Sequence, residues 1–406
     1  MTCQKSRRFL VWMAVCGFFL MLTGCKDLNE VDDLNIVLAM GIDETPDHQV
    51  EVSTEIVDPM GARSSSQSGS GGQRDQAKFI RHGVGKTVEE AVDRLDENVA
   101  RNLFLSHNTV VIFGRAYAEA GIDRSMDYLE RNLSLRRNQL WVVTDDTAAH
   151  LLEASGKPEL YNALAIRSLV EQGVNKSIAI NSTQLRVMRD YLRPSHAPNM
   201  AYLTVAHSEL CECGVGLFDG SHFRGHLTSK DANGLLLFLG PTQQTEYTLP
   251  CSSGKSSTDL QNTFRILGTQ TKVVPVMKGS EVQFSVQVRG RAEIERLCQG
   301  SKTTPDAYKE FETQISSELQ QRMQHVMTKL QKDDVDSVQF ATLLYRNNPA
   351  VWRKISTKWK DTFPTLTVNY DIHIQLLRNG LASKSPDTEF SPQGLPPRAG
   401  RRGSAP

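Results

Sequence analysis

The sequence predicts a mixed α/β and α+β fold of three successive domains, with mixed β-sheets covered by helices and a C-terminal sheet backed by one long amphipathic helix. Three observations predict it. Short apolar runs alternate with helical patterns through the first half, as expected when helices cover a sheet. A hairpin signal follows near residue 219. The last third combines strictly alternating strands with a single helical stripe. At roughly 150 residues per domain, 406 residues suit two or three domains. With 39% hydrophobic and 23% charged residues, the composition excludes a disordered chain, a collagen-like chain and a polytopic membrane protein. The 46 Lys and Arg balance 46 Asp and Glu, which argues against nucleic acid as a partner, since phosphate binding needs a basic excess.

Residues 1–24 read as a lipoprotein signal peptide. They carry Lys5, Arg7 and Arg8 and no acid, so the chain beyond them has a formal charge of −3. Phe9–Leu22 is wholly apolar. As a helix it spans roughly 21 Å, short of the roughly 30 Å hydrocarbon core, which suits a signal h-region better than a permanent span. Leu22-Thr23-Gly24-Cys25 then resembles a bacterial lipobox, in which the cysteine thiol takes a diacylglyceryl group and the chain is cut before it. An uncleaved anchor or a plain secretory signal, with Cys25 an ordinary thiol, are the alternatives. Two acyl chains hold a protein stably on a membrane, at roughly 0.8 kcal/mol per buried methylene. No later stretch reaches 18 apolar residues, so the body is expected to be soluble and tethered outside the cytoplasmic membrane, where ATP-driven chemistry is not expected.

An N-terminal α/β domain is expected over 25–200. Val50–Val57 reads as a strand. Gly61–Gly72 has nine Gly or Ser in twelve positions and reads as a flexible loop. Thr87-Val88-Glu89-Glu90 is a capping box opening a helix with Val88, Ala91, Val92, Leu95 and Val99 on one side. Thr109–Phe113 and Leu140–Val143 are short apolar strands around a helix over Ile122–Asn132. A middle domain over 201–271 is expected to contain a hairpin, Cys213–Phe218 and His222–Thr228, turning at Asp219-Gly220. A C-terminal α+β domain over 272–380 holds Val282, Phe284, Val286 and Val288, and then Leu366, Val368, Tyr370, Ile372, Ile374 and Leu376, in strict alternation. Thr304-Pro305 opens a helix with Tyr308, Phe311, Ile315, Leu319, Met323, Val326 and Leu330 in one stripe. The tail 381–406 has twelve Pro, Gly or Ser in 26 residues and reads as disordered.

Chemistry-bearing patterns are few. Gly83-Val84-Gly85-Lys86-Thr87 suggests a phosphate loop, but the required first glycine is Ile80, and the third glycine of a dinucleotide turn would fall on Val88. The turn-and-cap reading wins. Cys211, Cys213, His222 and His226 form the best metal-ligand candidate, with ligand types that suit zinc. If the hairpin pairs odd with even positions, all four share one face. Against this, Cys-x-Cys is one residue short of a zinc knuckle, and His222 sits near the turn. Cys211, Cys213, Cys251 and Cys298 otherwise form disulfides or remain free thiols. No nucleophile elbow or His-Glu-x-x-His motif occurs. His107 beside Ser106 could be a general base, though such a histidine more often packs a strand edge. Asp32 and Asp33 are adjacent and read as a solvated face. No cofactor is implied.

Several segments together resemble a known family. Cys25, Glu30-Val31-Asp32-Asp33-Leu34 and Val37-Leu38-Ala39-Met40-Gly41-Ile42-Asp43 are similar to the start of mature Ger(x)C proteins, the C subunits of bacterial spore germinant receptors. Leu105-Ser106-His107-Asn108 leading into Val111-Ile112-Phe113-Gly114 also fits, as do Arg131-Asn132, Arg136-Arg137 and Trp141-Val142-Val143. So do Gly214-Val215-Gly216-Leu217-Phe218 with Gly225-His226-Leu227, and Trp359 with Phe363-Pro364 and Gly380. The resemblance covers residues 1–381. Lys26 departs from the family's frequent Trp, and the Gly/Ser loop, the Cys-x-Cys pair and the tail are peculiar to this chain. The resemblance implies three α/β domains and a non-enzymatic lipoprotein on the outer face of the inner spore membrane. It also implies two integral membrane subunits as partners, with small nutrients such as amino acids or sugars as the signal. Of the site residues, only Cys25 carries a defined role. A lipid-anchored substrate-binding protein of an importer is the alternative; it would show two similar lobes around a cleft.

Overall fold

The computed structural model describes residues 34–58, 78–251, 261–279, 281–298 and 304–377, without the side chains of Glu212 and Cys213. The signal segment, Cys25, Asp32, Asp33, the Gly/Ser loop and the tail lie outside these residues. Two sheets organise the chain. The larger has nine strands: β1 (Leu34–Glu44), β2 (Val50–Val57), β3 (Lys78–Gly85), β4 (Asn102–Phe104), β5 (Val110–Phe113), β6 (Leu140–Thr144), β7 (Asn199–Ala206), β8 (Glu209–Asp219) and β9 (His222–Leu227). Their order is β3-β2-β1-β5-β6-β7-β8-β9, with β4 beside β1. Strands β1, β5, β6 and β7 run parallel, and antiparallel hairpins extend the sheet on both sides.

Every residue of β5 (VVIF) and β6 (LWVVT) is buried, as parallel strands covered on both faces require. One face carries Met40, Val111, Phe113, Trp141 and Val143. It is covered by α1 (Val88–Glu97), α2 (Arg115–Ala120), α3 (Asp123–Arg131) and α6 (Gln184–Tyr191). The opposite face carries Ala39, Val110, Ile112 and Val142 under α4 (Ala148–Glu153) and α5 (Asn162–Asn175). The glycines that suggested a phosphate loop are packing devices. A Cβ on Gly83 or Gly85 would run into the Ala91 backbone, so their absence of side chains lets α1 lie directly on β3. The capping box forms there too: the Glu90 N–H donates to Thr87 Oγ1 at 3.3 Å, and the Lys86 N–H donates to the Glu90 carboxylate at 2.7 Å.

The second sheet has the order β10 (Thr245–Pro250), β11 (Gln261–Lys278), β12 (Glu281–Arg296) and β13 (Thr367–Leu376). Helix α8 (Pro305–Lys332) is the crossover between the parallel pair β12 and β13. Its stripe residues Phe311, Ile315, Leu319, Met323, Val326 and Leu330 are buried with Phe264, Phe284, Val286, Val288, Ile372 and Ile374, as the spacing predicts. The short helices α9 (Phe340–Asn347), α10 (Pro349–Ile355) and α11 (Trp359–Thr362) precede β13.

Residues 201–271 do not build a sheet of their own. The hairpin β8–β9 completes the nine-stranded sheet, β10 belongs to the four-stranded one, and β11 runs unbroken across residues 271 and 272. Between them α7 (Ser229–Leu239) packs on α8, where Gly234 lets it approach Val326 and the Arg322 backbone. An Asp-Gly turn marks a hairpin but does not say which sheet it joins. The apolar core under α8 continues into Val215, Leu217 and Leu227, so the two sheets share buried contacts.

Candidate functional site

The sequence offers Cys211, Cys213, His222 and His226 only as a weak metal-ligand candidate, and the strand register does not support it. At the turn Asp219 faces His222, in odd–even pairing, but a β-bulge between Leu217 and Phe218 shifts the register so that His226 faces Gly216. A one-residue slip moves side chains to the other face, which removes the shared face the set required. Cys211 pairs with Thr204 of β7, beyond the reach of β9. His226 instead stacks on Tyr202, with ring centroids 3.9 Å apart and planes 5° from parallel. Among the described residues no three His, Cys, Asp or Glu side chains come together to hold a metal. Cys251 and Cys298 are joined in a disulfide that ties the end of β10 to the segment after β12, while Cys211 remains a thiol. The Cys213 side chain lies outside the description. His107 is exposed at the end of a short 3₁₀ turn, its ring 5.3 Å from that of Phe104.

Buried carboxylates with shifted pKa values are the usual marker of a reactive site. Here Asp43 and Asp336 instead serve helices. Asp43, at the end of β1, accepts the Ala148 and Ala149 N–H groups at 2.7 and 3.0 Å. Burial pushes its carboxyl up to about 6. Glu55 on β2 is fully buried and accepts the Asn162 and Ala163 N–H groups at 2.7 and 2.8 Å, with Lys78 Nζ at 2.9 Å. Asp336 accepts the Phe340 and Ala341 N–H groups at 2.8 and 2.7 Å, and burial pushes it up to about 7. The first-turn amides of α4, α5 and α9 have no intrahelical partner, and a carboxylate placed there meets both the unpaired donors and the helix dipole. For Asp43 and Glu55 the partner lies more than a hundred residues away, and sequence reading had no local signal for either.

Asp336 also marks the seam between the sheets. Ser195 and Thr342 exchange hydrogen bonds across it: their side-chain oxygens are 2.9 Å apart, and the Thr342 N–H donates to Ser195 Oγ at 3.1 Å. The Asn199 amide donates to the Ser337 carbonyl at 3.0 Å, and the Gln339 amide to that of Ala197 at 2.8 Å. Lys360 pairs with Asp219 at 2.9 Å.

A concavity of about 1410 Å³ lies beside α8, against β11, β12 and β13. Its lining is mixed: Thr313, Gln320 and Gln324 of α8 and Gln375 of β13 share it with Leu267 and Ile372. Gly290 holds it open, since a Cβ there would collide with Ile374 and Thr269. Its catalytic-looking groups are already engaged. Ser316 Oγ accepts the Ile374 N–H at 3.2 Å, Glu312 accepts that of Leu376 at 2.8 Å, and His373 pairs with Asp371 at 2.8 Å. The first two cover the free edge of β13. The groove offers hydrogen bonds to a polar ligand rather than a reacting group.

Comparison with known proteins identifies relatives along nearly the whole chain. Residues 27–205 match the spore germination protein N-terminal domain, and residues 213–380 the spore germination B3/GerAC-like C-terminal domain. These regions meet at the β7–β8 turn, inside the nine-stranded sheet. Spore germination protein KC of Bacillus subtilis (strain 168) is 24% identical, over 95% of this chain and 99% of the relative. Spore germination protein B3 of the same organism is 24% identical over 90% and 97%, and spore germination protein GerQC of Bacillus cereus 23% over 91% and 99%. The crystal structure of the GerBC protein has the same fold, with a TM-score of 0.53 over 84% of this chain and 97% of that one, at 16% identity. With both of the family's domains in order over residues 27–380, the chain belongs to the Ger(x)C family of spore germination proteins.

Proposed function

We propose that this protein is a non-enzymatic subunit of a spore germinant receptor, anchored through diacylglyceryl-Cys25 to the outer face of the inner spore membrane and acting with two integral membrane subunits. The observation that carries the reading is the span of the two family domains, which together take in both sheets and the seam between them. The division into a signal peptide (1–24), three domains and a tail (381–406) belongs to the same proposal, with the hairpin of the middle segment counted with the first sheet. No helix among the described residues is long and apolar enough to cross a membrane; in this reading a lipid on Cys25 is the means of attachment. The tether raises the effective concentration of the body beside its partners, so modest contact areas suffice. Two dissimilar sheets, nine-stranded and four-stranded, also favour this reading over an importer's binding protein with two similar lobes.

Deleting the gene should abolish germination in response to one class of nutrient while leaving receptor-independent germination intact. Unchanged responses to every nutrient tested would refute the assignment. The isolated body should turn over no substrate and bind free nutrients weakly; micromolar or tighter binding would revive the importer-like alternative.

A further inference from the structure

Two leucine-bearing segments lie side by side at one edge of the nine-stranded sheet. Leu133, in the loop before β6, is fully exposed, and Leu185 and Leu192 are 60% and 75% exposed on α6 and just past its end. Leu185 and Leu192 are seven residues apart and so share one helical face. The loop is pinned by buried Leu135, which leaves Leu133 presented outward. The segments are joined by hydrogen bonds: the Leu185 N–H donates to the Arg137 carbonyl at 3.1 Å, and the Gln184 amide to the Leu129 carbonyl at 3.0 Å.

Around these leucines the charge is one-sided, although the chain as a whole is neutral. Arg136, Arg137, Arg186, Arg189 and Arg193 stand against Glu130 and Asp190. Both carboxylates are already engaged, Glu130 by Arg137 at 2.9 Å and Asp190 by Arg189 and Arg193 at 3.1 and 2.8 Å. Arg186 keeps a buried Nε with no hydrogen-bond partner. Burial lowers its pKa, and the neighbouring Arg189 and Arg193 add to the effect; Arg193 is lowered likewise, with Arg346 contributing. Such a cluster is completed by anions.

The fold also says where this edge stands relative to the anchor. Leu38, Thr109 and Leu140 form one row across parallel β1, β5 and β6. The segment before Leu140 and the start of β1 at Leu34 therefore project from the same edge, about two strand spacings, or ~10 Å, apart. Leu34 lies only nine positions after Cys25, which limits the reach of the tether to about 30 Å.

We propose that this edge docks on an anionic lipid surface, with Leu133, Leu185 and Leu192 entering the headgroup layer and the arginines meeting lipid phosphates. The proposal rests on the lipid-anchor reading for its orientation. The anchor supplies attachment, and this face sets how the body stands on the membrane.

The test uses the chain from Lys26 onward, which contains every described element and both family domains, with vesicles of phosphatidylcholine with or without phosphatidylglycerol. It should bind the anionic vesicles only, and less as salt rises. Leu133→Ser/Leu185→Ser/Leu192→Ser and Arg136→Gln/Arg189→Gln should each weaken partitioning about tenfold, with unchanged circular dichroism. Failure to bind anionic vesicles, or equal binding by wild type and variants, would overturn the proposal. So would shielding of these leucines only when membrane-protein subunits are co-reconstituted, since the occupant would then be a protein. Because this chain lacks Cys25, a failed anchor would show separately, as an unlipidated full-length protein.

Discussion

The central strands of the nine-stranded sheet are buried on both faces, whereas the long hairpin of the four-stranded sheet is buried on one. That difference decides how helices are started. Helix α5 begins on buried residues, and its first amides are met by Glu55 from a neighbouring strand; α4 begins nearer the surface and combines Asp43 with its own Thr147, whose Oγ1 accepts the His150 N–H at 3.1 Å. Helix α8 begins at the surface and needs only its own residues: Thr304 Oγ1 accepts the Ala307 N–H at 3.3 Å, with Pro305 in the first turn. The first sheet thus adds carboxylates from distant residues to local caps such as Thr87, whereas the second rests on local periodicity and a single apolar stripe. The seam at Asp336 combines both, a carboxylate close in sequence to its helix but fully buried.

Removing the stripe's anchor should have the largest effect. Phe311 is 7% exposed, with its ring 5.3 Å from that of Phe264. Phe311→Ala should destabilise the four-stranded sheet by about 3–5 kcal/mol, read by denaturant unfolding. A loss under about 1 kcal/mol would mean that the stripe is not the element holding that sheet.

Next comes the remote cap. Glu55→Ala leaves two buried amides and Lys78 without their partner and should cost about 3 kcal/mol. The surface cap on α8, Thr304→Ala, should cost only about 1 kcal/mol. Equal costs would erase the distinction drawn between the two sheets.

Asp336 sharpens the comparison through pH. In the folded chain it holds its proton up to about pH 7, whereas in the unfolded chain it releases it near the ordinary carboxylate value of 3.8. The folded state therefore binds more protons between these limits, and stability should fall as pH rises from about 4 to 7. Asp336→Asn should flatten that slope, measured as the unfolding midpoint across the same range. An unchanged slope would locate the effect elsewhere, Asp43 being the next group to test because it acts over about pH 4 to 6.

What could be read from the sequence follows the same division. The α8 stripe, the alternation in β12 and β13, and the capping box at Thr87 are set by neighbours within a few residues, and spacing reveals them. Strand order in the parallel sheet is set by contacts between β1, β5, β6 and β7, which lie far apart in sequence, and short apolar runs do not say which neighbours they choose. The hairpin at Asp219-Gly220 was legible, but its bulge was not. That single extra residue is what puts His226 opposite Gly216. Nor did spacing choose among the cysteine fates: Cys251 and Cys298 meet because β10 and β12 both flank β11. The docking edge escaped notice for a related reason, since Leu133 and Leu185 are 52 residues apart and become neighbours only through Arg137.

The anchor is the point on which the functional account turns, and the mass of the N-terminal peptide from spore-membrane protein tests it most directly. The account predicts a chain beginning at Cys25 and carrying a diacylglyceryl group, with Cys25→Ala left unprocessed and germination impaired. A membrane-bound protein retaining residues 1–24, or one cut there with an unmodified Cys25, would contradict it.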